Sequence, residues 1–234
     1  MLILLLTAFG MQAQKKIVWF DAGLKAQYGP TGFYNSKMAA TGSGYNYAIA
    51  TGYSLGGKLG INWEYNGLAI DVMTSNANQL FDDSPSDTEV NYNWRTVDIY
   101  TLFRNAQNLG YFEIGPKVSF INKVEETDNG NISEVTDSYN KNVVSGVLGF
   151  GMNLFGQREG RFSGIIGARF EYGLTDFVSE AGKATGAPTR NAGFYSDGYA
   201  ASNIAFAGLV FEFNWGIGYF GRAKCGARSK FIMF

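Results

Sequence analysis

The connections in this 234-residue chain come in two lengths, and the two lengths take turns. Asn66-Gly67, residues 105–110 (NAQNLG) and residues 156–160 (GQREG) are short. Residues 29–44, 75–91, 123–142 and 175–201 are long, polar and rich in Gly, Asn, Ser and Asp. Strict alternation places every long connection at one end of the fold. A soluble sandwich or lipocalin has no reason to be built that way. A barrel in an outer membrane has short turns on one side and long loops on the other.

The segments between those connections alternate with a period of two, which sends successive residues to opposite faces of a strand. Residues 44–65, GYNYAIATGYSLGGKLGINWEY, put Tyr53, Leu55, Leu59, Ile61 and Trp63 on one face and Ser54, Lys58, Gly60 and Asn62 on the other. The same pattern recurs near residues 17–28, 68–73, 97–104, 112–120, 144–154, 162–174 and 208–217, with Val147 and Val210 out of pattern. That makes about eight strands, an even number of the kind single-chain outer-membrane barrels have. The expected fold is all-β: an eight-stranded antiparallel up-and-down transmembrane barrel with short periplasmic turns and four long outer loops. The greasy face meets lipid and the polar face meets the lumen. Only ~9–11 tilted residues cross the hydrocarbon, so the upper part of residues 45–65 is expected to rise beyond it. Aromatic rings gather where bilayer meets water. Two such belts are expected, with Trp63, Tyr65, Phe155, Trp215 and Tyr219 at the turn ends and Tyr28, Tyr45, Tyr47, Tyr92 and Trp94 at the loop ends.

The inward set carries Asp21, Glu64, Asp71, Asp98, Glu113, Glu171 and Glu212 against Lys25, Lys58, Arg104, Lys117 and Arg169. In a narrow barrel these charges must pair, because an unpaired buried charge is too costly to keep. A lumen plugged by its own side chains is the ordinary state of a small barrel. The alternatives are a gated pore for small solutes and carboxylate acid–base chemistry. No spacing singles out a catalytic dyad. Histidine is absent, which removes the commonest general base and metal ligand. No enzyme activity, catalytic residue, cofactor or resident metal is expected.

The net charge of −1 offers no basic face for nucleic acid. The single cysteine, Cys225, excludes an internal disulfide or a CxxC site, and we have no physical account of it. The N-terminus, MLILLLTAFGMQAQKK, has an apolar run of signal-peptide size, with Ala13 placed for cleavage before Gln14. No basic residue precedes the run; a start upstream of Met1 would supply one. A buried N-terminal strand is the other reading. No stretch reaches the ~20 apolar residues of a membrane helix. The division expected is a signal peptide at 1–13, a barrel at 14–220 and a basic periplasmic tail at 221–234, read as a disordered extension.

Three smaller patterns carry no function. Gly216-x-Gly218-x-x-Gly221 matches a dinucleotide fingerprint but ends a strand instead of joining a strand to a helix. Asn131-Ile132-Ser133 is a glycosylation triplet in a loop. Residues 82–89 and 125–137 are acidic, as solvated outer loops are, with weak calcium binding a minor alternative.

Residues 96–121, TVDIYTLFRNAQNLGYFEIGPKVSFI, resemble the PorT-like outer-membrane β-barrel family. Gly115-Pro116 and Val118-Ser119-Phe120 match the family's "AGPxVSY" half. Asp98-Ile99 with Leu102-Phe103-Arg104 match the strand before it, and residues 171–176 (EYGLTD) match its "YxxGLTDI" strand end. The resemblance implies an outer-membrane barrel of a Gram-negative bacterium, some of whose relatives assist a protein secretion system. It brings no catalytic residues. The partners expected are outer-membrane lipid and a protein at the outer loops or on the periplasmic side. The function expected is structural or partner-binding, with a small-solute channel as the alternative.

Overall fold

The structure, a computed structural model, describes residues 18–40, 46–83, 88–107, 110–156, 160–189, 193–196, 198–221 and 230–233. The expected signal peptide, Tyr45 and Cys225 lie outside these residues. Eight long strands form the wall: β1 (Val18–Asn35), β3 (Ala50–Trp63), β4 (Asn66–Asp83), β5 (Thr88–Gln107), β6 (Gly110–Asp128), β8 (Asn142–Gly156), β9 (Phe162–Gly173) and β10 (Ser202–Gly221). Each pairs antiparallel with the next, and β10 returns to β1 along its length, from Val18 opposite Phe220 to Asn35 opposite Ser202. Closure leaves the ring no free edge. Three short strands add to it: β2 (Asn46–Ala48) on β4, β7 (Asn131–Glu134) on β6, and β11 (Lys230–Met233) on β10.

Alternation sets the two faces. Along β3, Thr51, Tyr53, Leu55, Leu59 and Ile61 are exposed, while Gly52, Ser54, Lys58, Gly60 and Asn62 are buried. Leu68, Ile70 and Val72 face outward from β4, while Ala69, Asp71 and Met73 face in. The two residues out of pattern, Val147 and Val210, point inward and are buried. An outer wall of Leu, Ile, Phe and Tyr around an interior of charge suits hydrocarbon and no aqueous solvent.

Several boundaries differ from expectation. The β3–β4 hairpin turns at Glu64-Tyr65, two residues before Asn66-Gly67, with Glu64 at φ 48° and Trp63 opposite Asn66. Asn66 belongs to the ladder instead: it lies opposite Asn105, whose side-chain amide donates to the Asn66 side-chain oxygen, Oδ1, at 2.8 Å. This register sets Lys58 opposite Asp71. Three of the expected loops carry strand: β1 runs on to Asn35, β4 and β5 stay paired up to Asp83 and Thr88, and β6 continues to Asp128 before turning back into β7. The run 45–65 is two strands, broken at Ile49, and only the second lies in the wall. The described end of the tail is a strand, not free chain. Phe231 packs against Phe220 and Phe20, with ring centroids 5.1 and 6.1 Å away.

Candidate functional site: the sealed lumen

Six charged side chains from six different strands meet in the middle of the barrel. Lys25 reaches Asp71 at 2.6 Å and Glu212 at 3.2 Å. Arg104 grips Glu212 with two nitrogens, at 2.8 and 2.7 Å, and reaches Glu113 at 2.7 Å. Arg169 donates to Glu113 through Nε at 3.0 Å and through Nη2, and lies 3.4 Å from Asp71. The contacts close on themselves with alternating sign: Asp71, Lys25, Glu212, Arg104, Glu113, Arg169 and back to Asp71. Lys25 opposite Glu212 and Arg104 opposite Glu113 are neighbours in register. Arg104–Glu212 and Arg169–Asp71 join β5 to β10 and β4 to β9, strands four places apart in a ring of eight. These two bridges cross the full lumen.

The wall makes room for the ring. A Cβ on Gly149, the residue of β8 opposite Glu113, would lie 2.7 Å from the Glu113 Cγ. On the turn side, Lys58 links Glu212 at 2.6 Å to Asp21 at 3.4 Å, and Asn62 donates to Asp21 at 2.9 Å. On the loop side, Lys117 binds Glu171 at 2.5 Å and lies 3.8 Å from Asp98, whose Oδ2 accepts a hydrogen bond from the Ser75 hydroxyl. Tyr100 stands between the groups, donating to Glu171 at 3.1 Å under the Arg169 guanidinium. Every carboxylate of the set has a cation within 4 Å, so none is placed as a free acid or base.

Nearer the loops the interior turns apolar. Phe33, Met38, Phe81, Tyr92, Trp94, Val124, Tyr139 and Val143 form a buried cluster with Phe177 and Val178 from the β9–β10 connection. Phe177 lies 4.5 Å from Tyr139 and 5.3 Å from Trp94, centroid to centroid. Backbone bonds tie the connection down: Asn140 N–H to the Phe177 carbonyl at 2.8 Å, Phe177 N–H to Ser202 at 2.8 Å and Ser179 N–H to Ser138 at 3.0 Å. A one-turn helix, α1 (Glu180–Thr185), follows, capped by the Ser179 hydroxyl and ended at Gly186 in the left-handed region. Asp176 braces the rim through Lys183 at 3.2 Å, the Tyr199 hydroxyl and the Ser202 N–H. Partial desolvation opposes the Lys183 charge, but hydrogen bonds to Glu180, Asp176 and Tyr199 hold its pKa above the usual lysine range. Burial, with the Asp176 charge beside it, pushes the Tyr195 hydroxyl up to about 12.

Eleven of the twelve charged residues named from sequence line the lumen; Glu64 does not. It is exposed in the β3–β4 turn, because that turn falls two residues earlier than Asn66-Gly67. Tyr92 and Trp94 are both 3% exposed inside the loop-end cluster and form no belt. They share the parity of Thr96, Asp98, Tyr100 and Arg104, which fixes them inward. Tyr47 leans on Phe81, centroids 5.1 Å apart, and its hydroxyl accepts from the Asn35 N–H. Tyr28, Tyr65 and Phe155 face outward and are exposed; Trp63, Trp215 and Tyr219 are half-buried. Tyr34, Tyr53 and Tyr172, which were not placed in either expected belt, are exposed on the outer wall. The lid residues Phe177 and Val178 were missed because they sit in a stretch that reads as loop.

No family model matches the sequence. No curated protein matches it either. Solved structures that it is similar to include Neisserial surface protein A (11% identity, 84% of this chain and 96% of that one, TM-score 0.44). Others are OprG of Pseudomonas aeruginosa (10%, 88% and 97%, 0.38) and Ail of Yersinia pestis, solved with the heparin analogue sucrose octasulfate (13%, 83% and 99%, 0.36). At these scores they are likenesses of outline. The architecture rests on the strand pairing itself.

Proposed function

We propose that this chain is a closed, non-enzymatic barrel of a Gram-negative outer membrane, with its turns in the periplasm and its long loops outside. Its work is structural, or is done by binding a partner at the loop end. The observation that supports this most is the pair of ion bridges spanning the lumen between opposite walls, under an apolar lid. A small-solute channel would need both seals to part. The PorT-like resemblance favours an accessory role beside a protein secretion system, which would put a protein partner at the loops or on the periplasmic side.

The test combines outer-membrane fractionation with photo-cross-linking in cells. A cross-linkable residue at Ile132 or Tyr199, both exposed at the loop end, should capture a discrete protein, and one at Asn62 in the lumen should capture none. Recovery in a soluble fraction, migration unaffected by boiling, or equal capture from Asn62 would sink the proposal.

A further inference from the structure

The charges inside the barrel do not balance, and the imbalance is local. In the central ring three carboxylates meet three cations, and on the turn side Asp21 faces Lys58. On the loop side Asp98 and Glu171 share one cation, Lys117. Among the described residues of this set, one negative charge is left over at that level. Lys117 is committed to Glu171 at 2.5 Å, and Asp98 is the more distant partner at 3.8 Å.

A cavity of about 40 Å³ opens beside Asp98. A water needs roughly 10–15 Å³ on this measure, so two or three small occupants fit. Three side chains that line it, Asp98, Ser119 and Ser145, are each 1% exposed. Asp98 Oδ1, Ser119 Oγ and Ser145 Oγ have no hydrogen-bond partner among the described residues. Register brings them together: Asp98 lies opposite Ser119, and Ser145 lies opposite Lys117, two residues along the same strand. The charged groups lining the cavity are Asp98, Lys117 and Glu171. An unpaired carboxylate oxygen in a dry interior is costly, and polar atoms left without partners add to that cost.

We propose that this chamber holds a monovalent alkali-metal cation, bound by Asp98 Oδ1 and the Ser119 and Ser145 hydroxyls, with water completing its shell. The donors are all hard oxygens with one surplus charge. A divalent ion draws on more carboxylates, and the described residues contain no group of three or more acidic, cysteine or histidine ligands. The chamber lies in the lumen beside the apolar cluster, whose Trp94 and Ile204 also line it, and the test reads cation binding directly, whether or not the barrel conducts.

The probe is thallium(I), soaked into crystals of the full chain and located by anomalous scattering. A peak between Asp98, Ser119 and Ser145 is expected in the wild type, lost in Asp98→Asn and weakened in Ser145→Ala, which keeps the carboxylate if Asp98→Asn fails to fold. In parallel, the melting midpoint in detergent is compared in sodium chloride and in N-methyl-D-glucamine chloride at equal ionic strength. Sodium should raise it for the wild type and less for Ser145→Ala. No anomalous peak in the chamber, or equal midpoints in the two salts, would overturn the proposal; either result means that water alone fills the chamber.

Discussion

The middle of the lumen and its loop end solve the same problem with opposite chemistry. Both must fill a space just wide enough for side chains. The middle fills it with charge, in a ring where each ion has two partners of opposite sign. The loop end fills it with rings and aliphatic groups, as a soluble core does. The difference teaches where specificity comes from. A buried ion without its partner is penalised by several kcal/mol, so the middle tolerates few arrangements. The apolar end is held by packing, which tolerates volume-conserving change, and by backbone bonds from Asn140, Phe177 and Ser179.

The largest expected effect comes from the middle. Arg169→Met leaves Glu113 and Asp71 short of a cation and should cost roughly 3–5 kcal/mol, read from urea unfolding in lipid vesicles. Adding Glu113→Gln should recover part of the loss, since Lys25–Asp71 and Arg104–Glu212 then remain paired. A double variant worse than the single would break the ring argument. At the loop end, Phe177→Ala should cost about 3 kcal/mol as a buried aromatic truncation. Limited proteolysis should then cut within residues 174–201 while the barrel keeps its heat-modifiable migration. Loss of both together would mean that the two regions are one cooperative unit.

On the outer wall, Leu59→Arg places a charge toward lipid and should cost about 2–3 kcal/mol near the midplane, whereas Asn62, buried on the opposite face of the same strand, should accept Gln with little loss of membrane assembly. Gly149→Ala is the smallest of the set. Its new methyl meets Glu113, for an overpacking cost of about 1–2 kcal/mol. A neutral result would show that the ring shifts more easily than its geometry implies.

What was legible follows from periodicity. A period of two gives strand faces, so alternation alone places Lys25, Lys58, Asp71, Arg104, Glu113, Arg169 and Glu212 inside. It does not give their partners across the barrel, because Arg104–Glu212 depends on ring closure and joins residues 108 apart. The turn at Glu64-Tyr65 was hidden because Asn-Gly is a strong local hairpin signal, and pairing of Asn66 with Asn105 overrides it. The apolar lid was hidden by composition: Phe33, Phe81, Tyr92 and Phe177 lie among Gly, Asn and Ser, although Tyr92 and Trp94 had the inward parity of their own strand.

The central claim, that ion ring and lid seal this barrel in series, is tested most directly by single-channel recording in planar bilayers. The wild type should show no conductance steps. A barrel carrying Arg104→Met, Glu113→Gln, Arg169→Met and Glu212→Gln and lacking residues 177–196, so that both cross-lumen bridges and the lid side chains are gone, should show them, which also proves that the protein inserts. Steady conductance from the wild type would contradict the account.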